Sequence, residues 1–518
     1  MWAKLVRNAG SNVAGTLVAL GVGFVTMPLV VHHLGAAAFG VWVLATGLVG
    51  HLGLLDAGLA PTLVKKSAEL LARDDEAGGA ALSETVSTIY ALYAVLGGIG
   101  LLIVAGVAAG AGSLFQVHDA DRATLQLVLL LVGLQAALGF PMSIWNGLLS
   151  GLEAFHVLNA IGVVTHVTRG VLTVLLVRSG YGLLALVVLG FVLAVGGWTA
   201  SRWLVRRRLP ALRVGFRHAR RACLGDVGRF SGAMVVWAMA GAALHQLDRV
   251  LIGVMLPIQA LTTWEVGARL TTYSRNVLHS WLGVVMPATS RLAAQGDRRR
   301  LRGLFLRGTR YLLTCYVLVA VGLVAFGWPF IRLWMGPEYA SSFTILCVLL
   351  AGSLFQSQNV VAHVMLPGMG ELRTFTRFMA VYPLVTVTCS VAGIRWGGLL
   401  GLALGLATSM LLMESVFVGI ALRRFEVSPG RFLRRCHAPL ARMLVVVCAW
   451  ATATRLLVPI DGWTSFLASV VPTALVMLAS AWSLALTAGE RRLVAARAQA
   501  RLPALRARAP VSGEAPCS

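Results

Sequence analysis

The sequence predicts an all-α polytopic membrane protein with about fourteen transmembrane helices, and three observations carry that prediction. Of the 518 residues, 58% are hydrophobic and only 12% are charged, against about 25% charged in an average soluble domain. Mean hydropathy is +0.81, and the 56 glycines are spread through apolar runs instead of gathering in linkers. The basic residues, almost all arginine, collect in alternate loops. A soluble chain of this length would divide into roughly two or three domains with polar surfaces, and too few polar residues are present to cover them. Soluble enzyme, secreted disulfide scaffold and disordered chain are therefore excluded.

Apolar runs near spanning length fall at 11–31, 38–62, 84–110, 124–150, 155–178, 181–204, 229–255, 260–287, 308–334, 341–366, 374–394, 397–421, 439–459 and 464–487. The first run follows Lys4 and Arg7. It is long enough to cross a bilayer, so it reads as a retained helix and not as a signal peptide. The loops then sort by charge. One set carries Lys65, Lys66 and Arg73, then Arg206–Arg208 through Arg221, Arg298–Arg302, Arg373 and Arg377, Arg423–Arg435, and a tail from Arg491 to Arg508. The opposite set holds little beyond Arg122, Arg178, Arg332, Arg395 and Arg455. Basic residues mark cytoplasmic loops, so this asymmetry predicts that both termini are cytoplasmic. It also explains a net charge of +24 by topology, with no nucleic-acid partner. The basic loops are expected to touch anionic membrane lipids.

The expected organisation is an N-lobe over 1–204, a basic linker over 205–228, a C-lobe over 229–424, two further helices over 437–488 and a basic tail over 489–518. A shift of 222 positions aligns Arg7 with Arg229, Gly10 with Gly232, Trp42 with Trp264 and Leu48 with Leu270. Two six-helix halves that enter from the same side would be related by an axis along the membrane normal. The seven cysteines form no CxxC pair, and no metal site, cofactor or disulfide is expected. Pro28, Pro61, Pro141, Pro287, Pro367 and Pro472 lie in or at the ends of spans and are candidate bends or static kinks.

Several charges fall inside the predicted spans. An arginine at mid-bilayer costs about 2.5–3.5 kcal/mol on insertion scales, so each must face protein, water or a ligand. Glu265 and Arg269 are one helical turn apart, the spacing of an ion pair. Asp248 and Arg249 are neighbours and point about 100° apart on a helix; Arg249 shares its face with His245. Arg169 and Arg275 have no acid three or four residues away. Their countercharge must come from another helix, with Asp56 or Glu414 as candidates, or from a bound anion. Asp56, near the expected inner end of the second span, Asp248, Glu265 and Glu414 are also candidate proton or sodium sites.

Leu34-Gly35, Phe39-Gly40-Val41-Trp42 and Leu55-Asp56-Ala57-Gly58-Leu59 resemble the first hairpin of the oligosaccharide-lipid flippases. These are the polysaccharide transporter branch of the multidrug/oligosaccharidyl-lipid/polysaccharide exporter superfamily. Gln246-Leu247-Asp248-Arg249-Val250-Leu251-Ile252-Gly253, Met286-Pro287 with Ser290, and Phe330-Ile331-Arg332-Leu333-Trp334 resemble later segments of that family in order. The resemblance implies two six-helix lobes, alternating access, and a location in the bacterial cytoplasmic membrane. Its implied cargo is an undecaprenyl-pyrophosphate-linked oligosaccharide, moved from the inner to the outer leaflet, with other polysaccharide-assembly proteins as neighbours. It also implies a cationic cavity, here Arg169, Arg249, Arg269 and Arg275. Two alternatives stand beside it. A multidrug-type cation antiporter would need an acidic or aromatic cavity, which these arginines would oppose. A membrane-embedded glycosyltransferase or polymerase would need a catalytic site, for which Asp119-Ala120-Asp121 is the one hint, and such a short acidic run more often lies solvated at the surface.

Overall fold

A computed structural model of the chain describes residues 2–56, 59–71, 76–220, 247–279, 282 and 285–492. Every regular element among them is helical. The helices are α1 (Trp2–Gly50), α2 (Leu59–Leu71), α3 (Glu76–Ala109), α4 (Ala111–Leu114), α5 (Asp119–Gly151), α6 (Phe155–Arg178) and α7 (Leu183–Arg208). Residues 247–255 are the described part of α8. Then come α9 (Ala260–His279), α10 (Val285–Ala294), α11 (Arg298–Met335), α12 (Ser342–Ser357), α13 (Val360–Gly368), α14 (Leu372–Arg424), α15 (Pro429–Phe432), α16 (Ala438–Leu457) and α17 (Trp463–Ser480).

Ten of these stretches are long and apolar enough to cross a membrane. Two are of double length and break at glycines: α1 at Gly35 (φ 84°) and α14 at Gly397-Gly398 (φ 55° at Gly398). Positive φ of this kind is open to glycine and strains other residues. With each break the double-length helix supplies two passes, as the runs 11–31 and 38–62, and 374–394 and 397–421, predict. The spans 229–255 and 260–287 lie partly outside the described residues. The chain is thus an all-helical, multi-pass membrane protein.

Element ends differ from the sequence reading in two instructive places. The arginines at 298–302, expected in a loop, form the first turns of α11. Asp297 caps that helix by accepting the backbone N–H of Arg300 at 2.9 Å, which starts the helix ahead of the apolar run. Asp56, expected near an inner helix end, sits instead where the chain leaves a 3-10 turn (His51–Asp56) before α2.

The structure comprises two compact units. The first contains Met1–Asn276, Trp334–Ser353 and Gly370–Ser415. Glycines set its close helix contacts. A Cβ on Gly393 would lie 2.1 Å from the Gly401 carbonyl oxygen, and one on Gly405 would lie 2.3 Å from that of Cys389. Further along the same arms Thr386 Oγ1 donates to Ser409 Oγ at 3.3 Å. These pairs centre on Gly397-Gly398, so α14 folds back as an antiparallel hairpin with backbone against backbone. A second seam joins the sequence halves. The Thr262 hydroxyl donates to the Ala36 carbonyl at 2.7 Å, and Cβ atoms on Gly40, Gly253 and Gly47 would meet the Ile258 carbonyl, Leu44 and Arg249 at 2.3, 2.7 and 2.8 Å. The second arm of α1 therefore runs antiparallel to 249–262.

The second unit contains Val277–Leu333, Leu354–Met369 and Val416–Ser518. Arg298 and Arg302 both bind the Glu426 carboxylate, Arg302 through Nη2 at 2.7 Å, and Arg302 Nε donates to the Phe425 carbonyl at 3.0 Å. Glu490, beyond the last span, accepts from Arg310, from the Tyr311 hydroxyl at 2.5 Å, and from the N–H and hydroxyl of Thr487 at 2.8 and 2.7 Å. Burial alone would raise its pKa; the bonds from Tyr311 and Thr487 and the Arg310 charge overcome that and hold the pKa at about 2. A carboxyl whose pKa is depressed on folding stabilises the fold above its unfolded pKa and loses that contribution as pH falls through the folded value.

Two outcomes follow. Thermal stability in detergent should decline as pH falls from about 4.5 toward about 2, and Glu490→Gln should flatten that decline while lowering the midpoint at neutral pH; equal pH profiles would show that the clamp contributes nothing. Gly401→Ala should destabilise the hairpin by about 1–3 kcal/mol, read as a lower unfolding midpoint, whereas Gly398→Ala should act through backbone strain alone.

Candidate functional site

The ionisable residues inside the first unit gather around α9. Glu265, Arg269 and Tyr273 succeed one another at four-residue steps, so all three share one face of that helix. Glu265 is 2% exposed and carries two arginines: Arg249 Nε donates to Oε1 at 2.6 Å and Arg269 Nη2 to Oε2 at 3.3 Å. Tyr273 extends the row within hydrogen-bonding reach of Arg269. The preceding residues pair in parallel, for Trp264 Nε1 donates to Asp248 Oδ2 at 2.6 Å. Adjacent residues on α8 thus meet adjacent residues on α9.

Two glycines of α1 make room for this cluster. A Cβ on Gly23 would stand 3.3 Å from the Tyr273 hydroxyl, and one on Gly47 would overlap the Arg249 stem. One carboxylate, Glu265, binds both guanidinium groups, and a second, Asp248, lies next to Arg249. The arginine side chains are 29% and 26% exposed. Each uses one nitrogen on Glu265, and a guanidinium has five N–H donors, so donors remain for an anion.

The other expected residues lie in different settings. Arg275 is close to Tyr382, whose hydroxyl also reaches the fully buried Glu414 carboxylate. Arg169 faces the α6–α7 contact, where its Nη2 would be 3.6 Å from a Cβ on Gly190, close to Gln135; its shielded Nε has no hydrogen-bond partner among the described residues. Asp56 accepts from the Tyr93 hydroxyl and from the backbone of Ala60, which makes it the cap of α2. The face of α8 that carries Arg249 meets Glu265 of α9, and His245 lies outside the described residues. In the acidic run of α5, Asp119 pairs with Arg122 at 2.9 Å and is 87% exposed.

Sequence reasoning missed Tyr273, Trp264, Tyr93 and Trp334. Tyr273 was legible in the four-residue stripe from Glu265. Trp334 was legible only through proline chemistry. Pro28 has no N–H, so the Phe24 carbonyl of α1 loses its helical donor. Trp334 Nε1 donates to that carbonyl at 2.9 Å, and the two rings stack at 4.6 Å and 7°. The same shortage recurs at Pro141. The Ala137 carbonyl it leaves open faces Gly97, where a Cβ would lie 2.4 Å away.

Fold and site together define a multi-pass membrane protein with an arginine-rich polar cluster held inside a helical bundle. The chain belongs to the family described as polysaccharide biosynthesis protein, whose model matches residues 5–293. It is 22% identical over 377 residues to a Shigella flexneri protein described as a candidate O-antigen transporter, covering 71% of this chain and 86% of that one. Among solved structures it is similar to lipid II flippase MurJ in an inward closed conformation, with TM-score 0.70, 13% identity, and coverage of 92% of this chain and 98% of that one. It is also similar to an inward-facing multidrug resistance MATE family transporter of the MOP superfamily, with TM-score 0.64, 14% identity, and coverage of 79% and 94%. The expected membership of a polysaccharide-related family therefore holds, and the fold is that of these solved structures.

The proline analysis makes a direct prediction. Trp334→Phe keeps the stack and removes the donor, and it should cost about 1–3 kcal/mol in a thermal or denaturant titration. In a Pro28→Ala background the helix supplies its own N–H, so the cost of Trp334→Phe should shrink. An unchanged cost there would show that the indole acts by packing alone.

Proposed function

We propose that this protein is a flippase that carries an undecaprenyl-pyrophosphate-linked oligosaccharide from the inner to the outer leaflet of the bacterial cytoplasmic membrane. The carrying observation is the Arg249–Glu265–Arg269 triad. A pyrophosphate cannot cross hydrocarbon bare, and guanidinium groups match phosphate oxygens with paired N–H donors. Glu265 fixes both arginines before cargo arrives, which lowers the ordering cost of binding. The polyprenyl tail stays in the lipid while the glycan travels through water. Family membership and the transporter relatives support the reading, and the reading involves no covalent step.

The triad draws α8 and α9 from one sequence half against α1 of the other. Alternating access by the halves 1–204 and 229–424 would then change the surroundings of the bound phosphate. In this scheme Arg169 and Arg275 belong to the path of the anion. Glu265 braces and Asp56 caps, so Asp248 and Glu414 are the acids left for ion coupling. A cation-exporting reading is disfavoured because the exposed groups of the cluster are the two arginines, which oppose a cationic cargo.

The test is leaflet translocation of a labelled lipid-linked oligosaccharide in reconstituted vesicles. Arg249→Ala and Arg269→Ala should each slow transport at least roughly tenfold, measured on inserted protein below the lowered unfolding midpoint that loss of a partner of Glu265 brings. Arg→Lys at either position keeps charge without the planar fork and should be intermediate. Arg169→Ala and Arg275→Ala should also impair transport. Wild-type rates in both triad variants, or no protein-dependent translocation across several glycans, would refute the proposal.

A further inference from the structure

The basic segment after α7 does more than mark topology. Residues 209–220 lie as a strap across the start of α3, fastened by three hydroxyl side chains, Ser83 and, one turn further on, Ser87 and Thr88. Arg213 N donates to Ser83 Oγ at 3.3 Å, Gly215 N to Ser87 Oγ at 3.3 Å, and Arg220 N to Thr88 Oγ1 at 3.0 Å. Ser87 also donates to the Arg213 carbonyl at 3.3 Å. The strap, the end of α2 and the start of α3 enclose a cavity of about 710 Å³.

The walls of that cavity have two characters. Leu82, Leu209 and Leu212 make an apolar side, and Arg208 and Arg213 a cationic one. Glu84 also lines it, but Arg220 Nε binds that carboxylate at 3.1 Å. Neither Arg208 nor Arg213 is in an ion pair among the described residues, and both are exposed.

The depth of the cavity identifies what it meets. Trp203 on α7 is 52% exposed and Arg207 lies over its ring at 4.0 Å, the arrangement of an interfacial anchor. Arg208 follows five residues later, roughly 7.5 Å along the helix axis. A headgroup layer is about 5–7 Å deep on each side of the hydrocarbon. An amphiphilic cavity whose two guanidinium groups make no ion pair among the described residues therefore opens near the outer edge of the headgroup layer, where long arginine side chains reach lipid phosphate.

We propose that this cavity is a binding site for one anionic phospholipid, its phosphate held by Arg208 and Arg213 and its glycerol and first acyl carbons against Leu82, Leu209 and Leu212. It is separate from the triad and does not depend on the identity of the cargo. The strap completes the site: its backbone is held to α3, so Arg213 is presented from a fixed edge beside Arg208 at the end of α7.

The full-length protein is placed in nanodiscs of phosphatidylcholine with a minority of phosphatidylglycerol, and lipid retained after release is read by native mass spectrometry. Wild type should retain phosphatidylglycerol. Arg208→Gln/Arg213→Gln should reduce retention roughly tenfold or more, while Arg206→Gln/Arg217→Gln, which removes the same charge from the same segment outside the cavity, should retain it. Ser83→Ala/Ser87→Ala loosens the strap without touching charge and should also reduce retention. Hydrogen exchange of residues 209–218 should slow in the mixed nanodiscs and not with inorganic phosphate added to phosphatidylcholine discs. Equal loss in the two charge variants, equal retention of phosphatidylcholine, or equal protection by inorganic phosphate would each overturn the site.

Discussion

A carboxylate buried in a membrane protein is expensive to hold, and Glu265 is held because two arginines bind it. Removing one partner from a buried pair costs about 3–5 kcal/mol, so the three side chains depend on one another. Their helices depend on them too. Arg249 belongs to α8 and reaches its partner across a contact that Gly47 of α1 leaves open. Trp264 and Asp248 repeat the connection one residue earlier. The result is a polar cross-brace between α8 and α9 with cationic donors to spare. Those spare N–H donors give the cluster a use beyond stability.

The rest of the first unit is shaped by the need to satisfy backbone groups where no water is at hand. Proline and glycine create the openings, and neighbours close them. Pro28 leaves the Phe24 carbonyl to Trp334, and Pro141 leaves the Ala137 carbonyl to the close approach of Gly97. The Gly253 carbonyl, near the end of α8, takes the N–H of Gln116 at 3.0 Å. These are long-range contacts made by local defects, so the bends in the helices also specify which helix lies beside which.

Much of this fold was readable before any coordinates. Hydropathy and the arginine loops were enough for helix number, because burying backbone in lipid allows few solutions. The break at Gly35 falls between two expected spans, whereas Gly397-Gly398 was read as the start of a span and is the turn itself. The site was only partly legible. The Glu265–Arg269 spacing is local and was visible, whereas the Arg249–Glu265 bond joins separate helices and needs the α8–α9 register. Arg169, Arg249, Arg269 and Arg275 read as one set because charge is the only feature a linear sequence displays. In three dimensions they divide by partner: a shared carboxylate, a tyrosine next to Glu414, and a contact near Gln135. The starts of α11 and α2 were misplaced because Asp297 and Asp56 act as caps, and capping depends on a side-chain conformation that hydropathy does not record.

The backbone contact at Gly393, Gly401 and Gly405 has a mechanical consequence. Two helices separated by side chains can slide or roll as rotamers change, but here carbonyl oxygens rest where methyl groups would be. The arms of α14 are therefore coupled as one stiff lever, and any tilt near Gly397-Gly398 must carry Tyr382 and Glu414 along together. A torque applied at the turn would reach Arg275 undiminished, without a relay of intervening contacts.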